Sequence, residues 1–421
     1  MTTETHDASH ASTTAPRWRD LPAPLWALVV ARAVNRVGAF TLPFLGVVLV
    51  DRLGTSAAVA GALVALFGVA TIPSRLLGGV LADRLGPVPT MTVGLVGCAV
   101  GQLQVAAAGG LAAAAVGVVV LGLAFEVYEP PSQALVADLV GDRLRPIAYG
   151  ALSAALAGAG LVAGPLAVRL GGIDVRGLLV ADAVSCLVAA GLVVAVVRPA
   201  LRHHAASPAS GTSAPPTADL SDAPAPSTPA TTPSPTSPWR DRRLLVLLAA
   251  GTAFATVYLA LVTVLPLALP RIGQPPEHAG LVVTVAAVVV VAGQPLLRWG
   301  PLRPTARALV VGYLLLAFGL ALLAVAHDLT TVLLAAVVWS LGDLLLLGHL
   351  LSLVSGLAPA GARARWLAAY GLSWGVATAL APLLGTQLLV HGGPALLWGT
   401  LAVVALGLAA LQPALARPRT P

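Results

Sequence analysis

The stretch GGVLADRLGP, Gly78 to Pro87, sets an aspartate beside an arginine among glycines, between the apolar runs Ala57–Val80 and Val88–Ala108. A helix rises 1.5 Å per residue, so a run of about 20 apolar residues spans a hydrocarbon core of about 30 Å. The charged pair therefore reads as the joint between two membrane crossings. The same alternation recurs along the chain and gives twelve spans. In the first half these are Leu25–Val50, Ala57–Val80, Val88–Ala108, Leu111–Pro131, Ile147–Leu170 and Leu178–Val197. In the second they are Leu244–Leu269, Ala279–Leu297, Ala306–Ala326, Leu329–Leu351, Trp366–Val390 and Pro394–Leu411. Membrane β-barrels alternate residue by residue and carry no continuous run like LVVTVAAVVVVAG, Leu281 to Gly293.

Composition agrees. Of 421 residues, 57% are hydrophobic and 10% charged, well under the charged fraction of an ordinary soluble domain (about 25%). The net charge of +7 comes from arginine alone, because the chain has no lysine. The arginines do not form a nucleic-acid-binding patch. They collect after every second apolar run, at Arg17, Arg19, Arg84, Arg143, Arg145, Arg198, Arg202, Arg240, Arg242, Arg243, Arg298, Arg303, Arg307, Arg363, Arg365, Arg417 and Arg419, against Arg52, Arg169, Arg176 and Arg271 on the other side. By the positive-inside rule both termini are expected in the cytoplasm. The first run is too long for a cleaved signal peptide and is expected to remain as the first helix. Cys98 and Cys186 fall inside apolar runs and read as small buried hydrophobes.

The spans divide the chain into a polar N-terminal tail (1–23), a six-helix bundle (24–198), a Pro/Ser/Thr-rich linker (199–243) expected to be disordered, a second six-helix bundle (244–412) and a short cytoplasmic tail (413–421). The two bundles echo one another. RLRPIAYG (Arg143–Gly150) is matched by RARWLAAYG (Arg363–Gly371), and both runs end at a double glycine, Gly171-Gly172 or Gly392-Gly393. Tyr149 and Tyr370 are offset by 221 residues, and the pairs Ala60-Gly61 and Ala279-Gly280 by 219. Related halves of this kind cradle a substrate site at their interface near the bilayer midplane.

On these features, and on Gly79-Val80-Leu81-Ala82-Asp83-Arg84-Leu85-Gly86 at the loop between spans two and three, the chain resembles the major facilitator superfamily, and most of all its twelve-helix drug/proton antiporters. The resemblance implies an all-α polytopic membrane protein, with twelve transmembrane helices in two pseudo-symmetric six-helix bundles. It also implies a conformational latch. Gly79 lets helices approach closely, and Asp83 meets the positive N-terminal end of span eleven in the outward-facing state. Arg84 and Gly86 complete the loop. Where the family places a basic residue after the last glycine, this chain has Pro87. Asp138, the acid that residue would pair with, therefore needs another partner: Arg84, Arg143 or Arg145. A plain turn and topology marker is the alternative reading. Antiporters of the family also carry a glycine-rich helix five, matched in part here by Gly160, Gly164 and Pro165, which would pack span five against span eight.

Ionisable groups at bilayer depth are costly and mark functional sites. Arg32 and Arg36 share a face of span one, and Glu126 and Glu129 a face of span four. Helical rise places Arg32 and Glu129 roughly 13 Å from the cytoplasmic end and Arg36 and Glu126 roughly 18–20 Å. Two stacked pairs follow, Arg32–Glu129 and Arg36–Glu126, either coupling protons or fixing helix packing. Asp343 in span ten has no arginine in its own run. An acid buried without a partner favours its protonated form, as a proton carrier requires. His349, six residues on, reads as a relay or a polar wall residue, and Asp182 as an interfacial acid. Phe40, Phe44, Tyr128, Tyr258, Trp339 and Trp374 are candidate pocket walls, alongside Phe125. Pro43 and Pro266 are expected to bend the equivalent first helices of the halves.

The function expected is proton-coupled export of small apolar or amphipathic compounds by alternating access, in the plasma membrane, by a monomer whose partners are substrate, protons and the lipid bilayer. Proton-coupled uptake of a small metabolite and a non-transporting receptor are the alternatives. No zinc-ligand pattern, phosphate loop or nucleophile–base set stands in the sequence, so no enzyme, metal site or cofactor is expected.

Overall fold

The computed structural model describes residues 18–140, 144–201, 242–294, 305–357 and 363–415. Residues 1–17 and 416–421, most of the linker, and Arg143, Arg298 and Arg303 lie outside them. Ten helical stretches among the described residues are long and apolar enough to cross a membrane. The stretch Tyr370–Gln412 contains two crossings, joined where Gly392 and Gly393 leave helical geometry. Gly393 turns at φ +66°, a left-handed value that favours glycine. The shorter apolar helix Pro276–Ala292 begins the eighth crossing. The result is twelve transmembrane helices in two six-helix bundles.

Prolines explain the breaks inside crossings. The first crossing is two helices, α1 (Ala23–Val37) and α2 (Thr41–Leu53), with Pro43 in the first turn of α2. Crossing four breaks between Leu111–Phe125 and Glu129–Leu139, ahead of Pro130 and Pro131. Crossing seven breaks at Val264, ahead of Pro266. Proline lacks an N–H and is tolerated where a helix begins, so each chain restarts its helix just before one. Gly86, which joins crossings two (Ala57–Leu85) and three (Pro87–Ala107), adopts φ +84°, so the turn itself requires glycine.

The side of the molecule that carries Gly86 and the described residues Trp18 and Leu415 is here the tail side; the opposite face is the far side. On the far side, loop residue Asp174 is clamped by Arg176 (Nη2–Oδ2 2.6 Å). That hydrogen-bonded guanidinium holds the Asp174 carboxyl below the usual carboxylate range. The clamp therefore persists into mild acid and weakens only as pH falls through that lowered value. Apolar side chains such as Leu76, Phe318 and Val403 project outward and stay exposed. They suit a lipid-facing surface and would be a liability in water.

Each half has its own core. The halves meet through crossing two against eleven, crossing five (Arg145–Gly171) against eight, and α2 against crossing seven. The contact is one-sided. Towards the far side a methyl group placed on Gly68 would lie 2.6 Å from backbone atoms of Thr378 and Ala379, and one on Gly164 would overlap Thr284 Oγ1 and the Gly280 carbonyl. Phe40, Phe44, Ala163 and Ala167 of the first half are buried in the core of the second. Towards the tail side the helices part. Gly371, whose added methyl would lie 3.9 Å from the Arg75 guanidinium, is the last such approach of crossing eleven to crossing two, and among the described residues nothing lies within 4 Å of a methyl on Gly79, Gly150 or Gly158.

Candidate functional site

Two clusters stand out among the described residues, one in each half. In the first half, the guanidinium of Arg32 on α1 reaches the break in crossing four. It pairs with Glu129 (Nη1–Oε2 2.7 Å), donates to Ser132 Oγ and lies 5.3 Å from the centre of the Tyr128 ring. The two ion-pair side chains keep 12% and 25% of their exposure. Removing one partner of a fully buried pair costs about 3–5 kcal/mol, and the residual hydration reduces that here. Arg32→Ala is thus expected to lower the melting temperature of the purified protein, and the exchange Arg32→Glu with Glu129→Arg to recover most of the loss. Recovery of stability without transport would mark the pair as more than packing.

The second expected pair is not formed. Glu126 accepts from Arg75 (Nη2–Oε2 2.9 Å and Nε–Oε2 3.3 Å), an arginine in crossing two that the depth argument did not weigh. The Glu126 N–H donates to Ser74 Oγ (2.9 Å), which fixes the unwound segment against crossing two. Arg36 is exposed and has no ion-pair partner among the described residues. The signal for Arg75 was present: it interrupts the apolar run of span two in the segment TIPSRLLGG, Thr71 to Gly79.

The second half carries an aromatic cluster. Tyr258 and Trp374 meet edge to face at 5.3 Å, with Phe254 and Tyr313 behind them. Tyr258 and Trp374 are half-buried and can line the wedge between the bundles. Three other expected walls are not walls. Trp339 is 4% exposed and packs on Gly319, while Phe40 and Phe44 belong to the far-side seal. Depth had placed all three, but helical angle turns them into protein.

Asp343 is buried, and its Oδ1 has no hydrogen-bond partner. Leaving such an atom unsatisfied costs about 1–3 kcal/mol. His349 Nδ1 donates to the Leu345 carbonyl (2.7 Å) within its own helix. Asp182 is not interfacial as expected but 3% exposed, hydrogen-bonded to the break in crossing one.

The loop residues are apart from their expected partners. Asp83 and Arg84 are exposed, and Asp138 forms no ion pair with Arg84 or with any other described residue. Gly79 makes no close approach in this conformation. Its neighbour Gly78 does, since a methyl there would lie 2.6 Å from the Val127 carbonyl oxygen. Gly164 makes the tight contact with crossing eight, Gly160 a looser one (3.9 Å to Ala287), and Pro165 lies inside the helix. No cluster able to hold a metal ion occurs among the described residues.

Comparison with known proteins follows the same line. The sequence profile of the Major Facilitator Superfamily matches residues 28–365. An uncharacterized MFS-type transporter of Bacillus subtilis (strain 168), YqjV, is 23% identical over 364 residues, covering 85% of this chain and 84% of that one. Among solved structures, the peptide transporter POT in complex with sulfate superposes with a TM-score of 0.73 at 18% identity, over 96% of each chain. The POT family transporter PepTSo superposes with a TM-score of 0.74 at 14% identity, over 96% of this chain and 98% of that one. These structural likenesses speak to the fold. The chain belongs to the Major Facilitator Superfamily.

Proposed function

We propose that the protein is a proton-coupled secondary transporter that exports small apolar or amphipathic compounds by alternating access. The observation that carries this reading is the one-sided contact between the halves: sealed on the far side, parted on the tail side. A chamber open to one face is half of an alternating cycle. Described arginines on the tail side, including Arg84, Arg145, Arg198, Arg242 and Arg307, outnumber those on the far side and support a cytoplasmic tail side. The conformation then faces inward.

The same geometry supports the latch. Crossings two and eleven run antiparallel, with Gly68 beside Thr378, Ile72 beside Gly375 and Arg75 beside Gly371. Extending that register brings Asp83 level with the first turn of crossing eleven, which begins at Arg363. Closing the tail side would deliver the Asp83 carboxylate to that helix N-terminus. A charge at a helix end contributes about 0.3–2 kcal/mol, enough to bias a population and weak enough to release. Asp343, whose Oδ1 has no hydrogen-bond partner among the described residues, is the proposed proton carrier.

The unpaired Arg36 favours a second reading. An exposed cation in the wedge suits an anionic or zwitterionic cargo, as in proton-coupled uptake of a small metabolite. Proteoliposomes holding a pH-sensitive dye separate the two. Antiport predicts that an active compound, added on one side, drives protons the opposite way; symport predicts movement in the same direction. Saturable binding with no translocation and no pH change would overturn both readings in favour of a receptor.

A further inference from the structure

Crossing one is a broken helix whose second segment bridges the two bodies. α1 carries Arg32 and Arg36 and packs within the first half. Beyond the break, Leu45, Val48 and Leu49 stay in the core of the first half, while Phe40 and Phe44 are buried in the core of the second and Gly46 faces Leu267 at a distance of 3.1 Å from where its methyl would be. The fulcrum is the break itself, residues 38–40. There the Thr41 N–H has no helical carbonyl to reach.

A carboxylate from crossing six fills that gap. Asp182 Oδ2 accepts from the Phe40 N–H (3.1 Å), the Thr41 N–H (2.9 Å) and the Thr41 hydroxyl (2.6 Å). Thr41 Oγ1 in turn accepts from Gln102 Nε2 of crossing three (2.8 Å). One turn beyond Asp182, Cys186 Sγ accepts from Asn35 Nδ2 on α1 (3.2 Å). The Ser185 side chain occupies the space that a methyl on Gly38 would take. Asp182 has no arginine partner among the described residues, so the positive end of α2 and these donors are what offset its charge.

We propose that Asp182 is the positioning residue of this hinge: its carboxylate caps α2 and sets the angle at which α2 closes on the second half. The proposal rests on the alternating-access reading, in which α2 must leave the second half when the far side opens. The cap lies away from the wedge, so its loss should change conformational populations and turnover while leaving substrate affinity alone.

The test is a distance distribution between nitroxide labels on Arg52→Cys, in the last turn of α2, and Arg271→Cys, at the far end of crossing seven. Both sites are exposed, and native Cys98 and Cys186 are buried. Losing charge-assisted bonds to α2 should raise the ratio of long to short far-side distances by about tenfold in Asp182→Ala. Thr41→Val, a milder change that keeps both backbone bonds, should shift it in the same direction. Asp182→Asn, whose amide oxygen still accepts, should stay near wild type. In liposomes, kcat should fall in Asp182→Ala with KM unchanged. If Asp182→Ala does not yield folded protein, Thr41→Val decides. Wild-type distributions in both variants would overturn the proposal. A wild-type distance that never changes with pH or substrate would instead sink the alternating-access reading, and a shift in the variants would still support the hinge.

Discussion

Asp343→Asn is expected to reduce proton-driven transport to background while substrate exchange without a pH gradient survives. An amide has nearly the shape of the carboxyl but cannot load or release a proton. The fold should tolerate the change, because Oδ1 of Asp343 makes no hydrogen bond to lose. Stability supplies an independent sign. Replacing a buried, unsatisfied polar group with an apolar one removes a penalty of about 1–3 kcal/mol, so Asp343→Leu should melt higher than wild type. A residue kept at a cost to stability, whose loss ends coupling, is the pattern expected of a proton carrier. Gradient-driven transport at the wild-type rate in Asp343→Asn would move that role elsewhere, first to Glu126 or Glu129.

The second large effect is steric. In the tail-open conformation Gly68 touches the backbone of crossing eleven, and backbone cannot swing aside as a side-chain tip can. Gly68→Ala should therefore push crossing two off crossing eleven. Overpacking of this kind costs about 1–3 kcal/mol, and each 1.4 kcal/mol is a factor of about ten in a two-state population. Gly164→Ala acts on the pseudo-equivalent contact between crossings five and eight, and the double variant should shift the equilibrium further. The readout is reactivity of a cysteine in the wedge, for example Arg36→Cys on α1, towards a reagent confined to the tail side. Reactivity should fall in both variants, and Gly407→Ala on crossing twelve, where a methyl meets nothing, should leave it unchanged. Equal reactivity throughout would mean that the contacts at Gly68 and Gly164 do not hold the far side shut.

The sequence carried the topology because each crossing is a long apolar run and each joint a cluster of charge, glycine or proline. It also carried Arg32–Glu129, two groups of opposite sign at matching depth. The failures share one cause. Depth along a helix says nothing about the angle around it, and it assumes that the helix is unbroken. Crossing four unwinds at Glu126–Tyr128, so counting residues misplaces Glu126, and Arg75 takes the pairing that depth assigned to Arg36. Angle likewise buries Phe40, Phe44 and Trp339. Asp182 looked interfacial because its place near the start of span six says nothing of which backbone N–H groups are left open at the break that Pro43 marks in crossing one. The loop around Asp83 is a different case. Its motif is legible in the sequence, but the contact it specifies belongs to a state in which the tail side is closed.

The most direct test of two bundles rocking about a shared chamber is a pair of distances in the same preparation. One is the far-side distance between labels on Arg52→Cys and Arg271→Cys. The other is a tail-side distance between labels on Pro89→Cys and Arg307→Cys, near the starts of crossings three and nine. Changing pH or adding an active compound should lengthen one distance in the same fraction of molecules in which the other shortens. Distances that move in the same direction, or that both stay fixed while transport proceeds, would contradict the account.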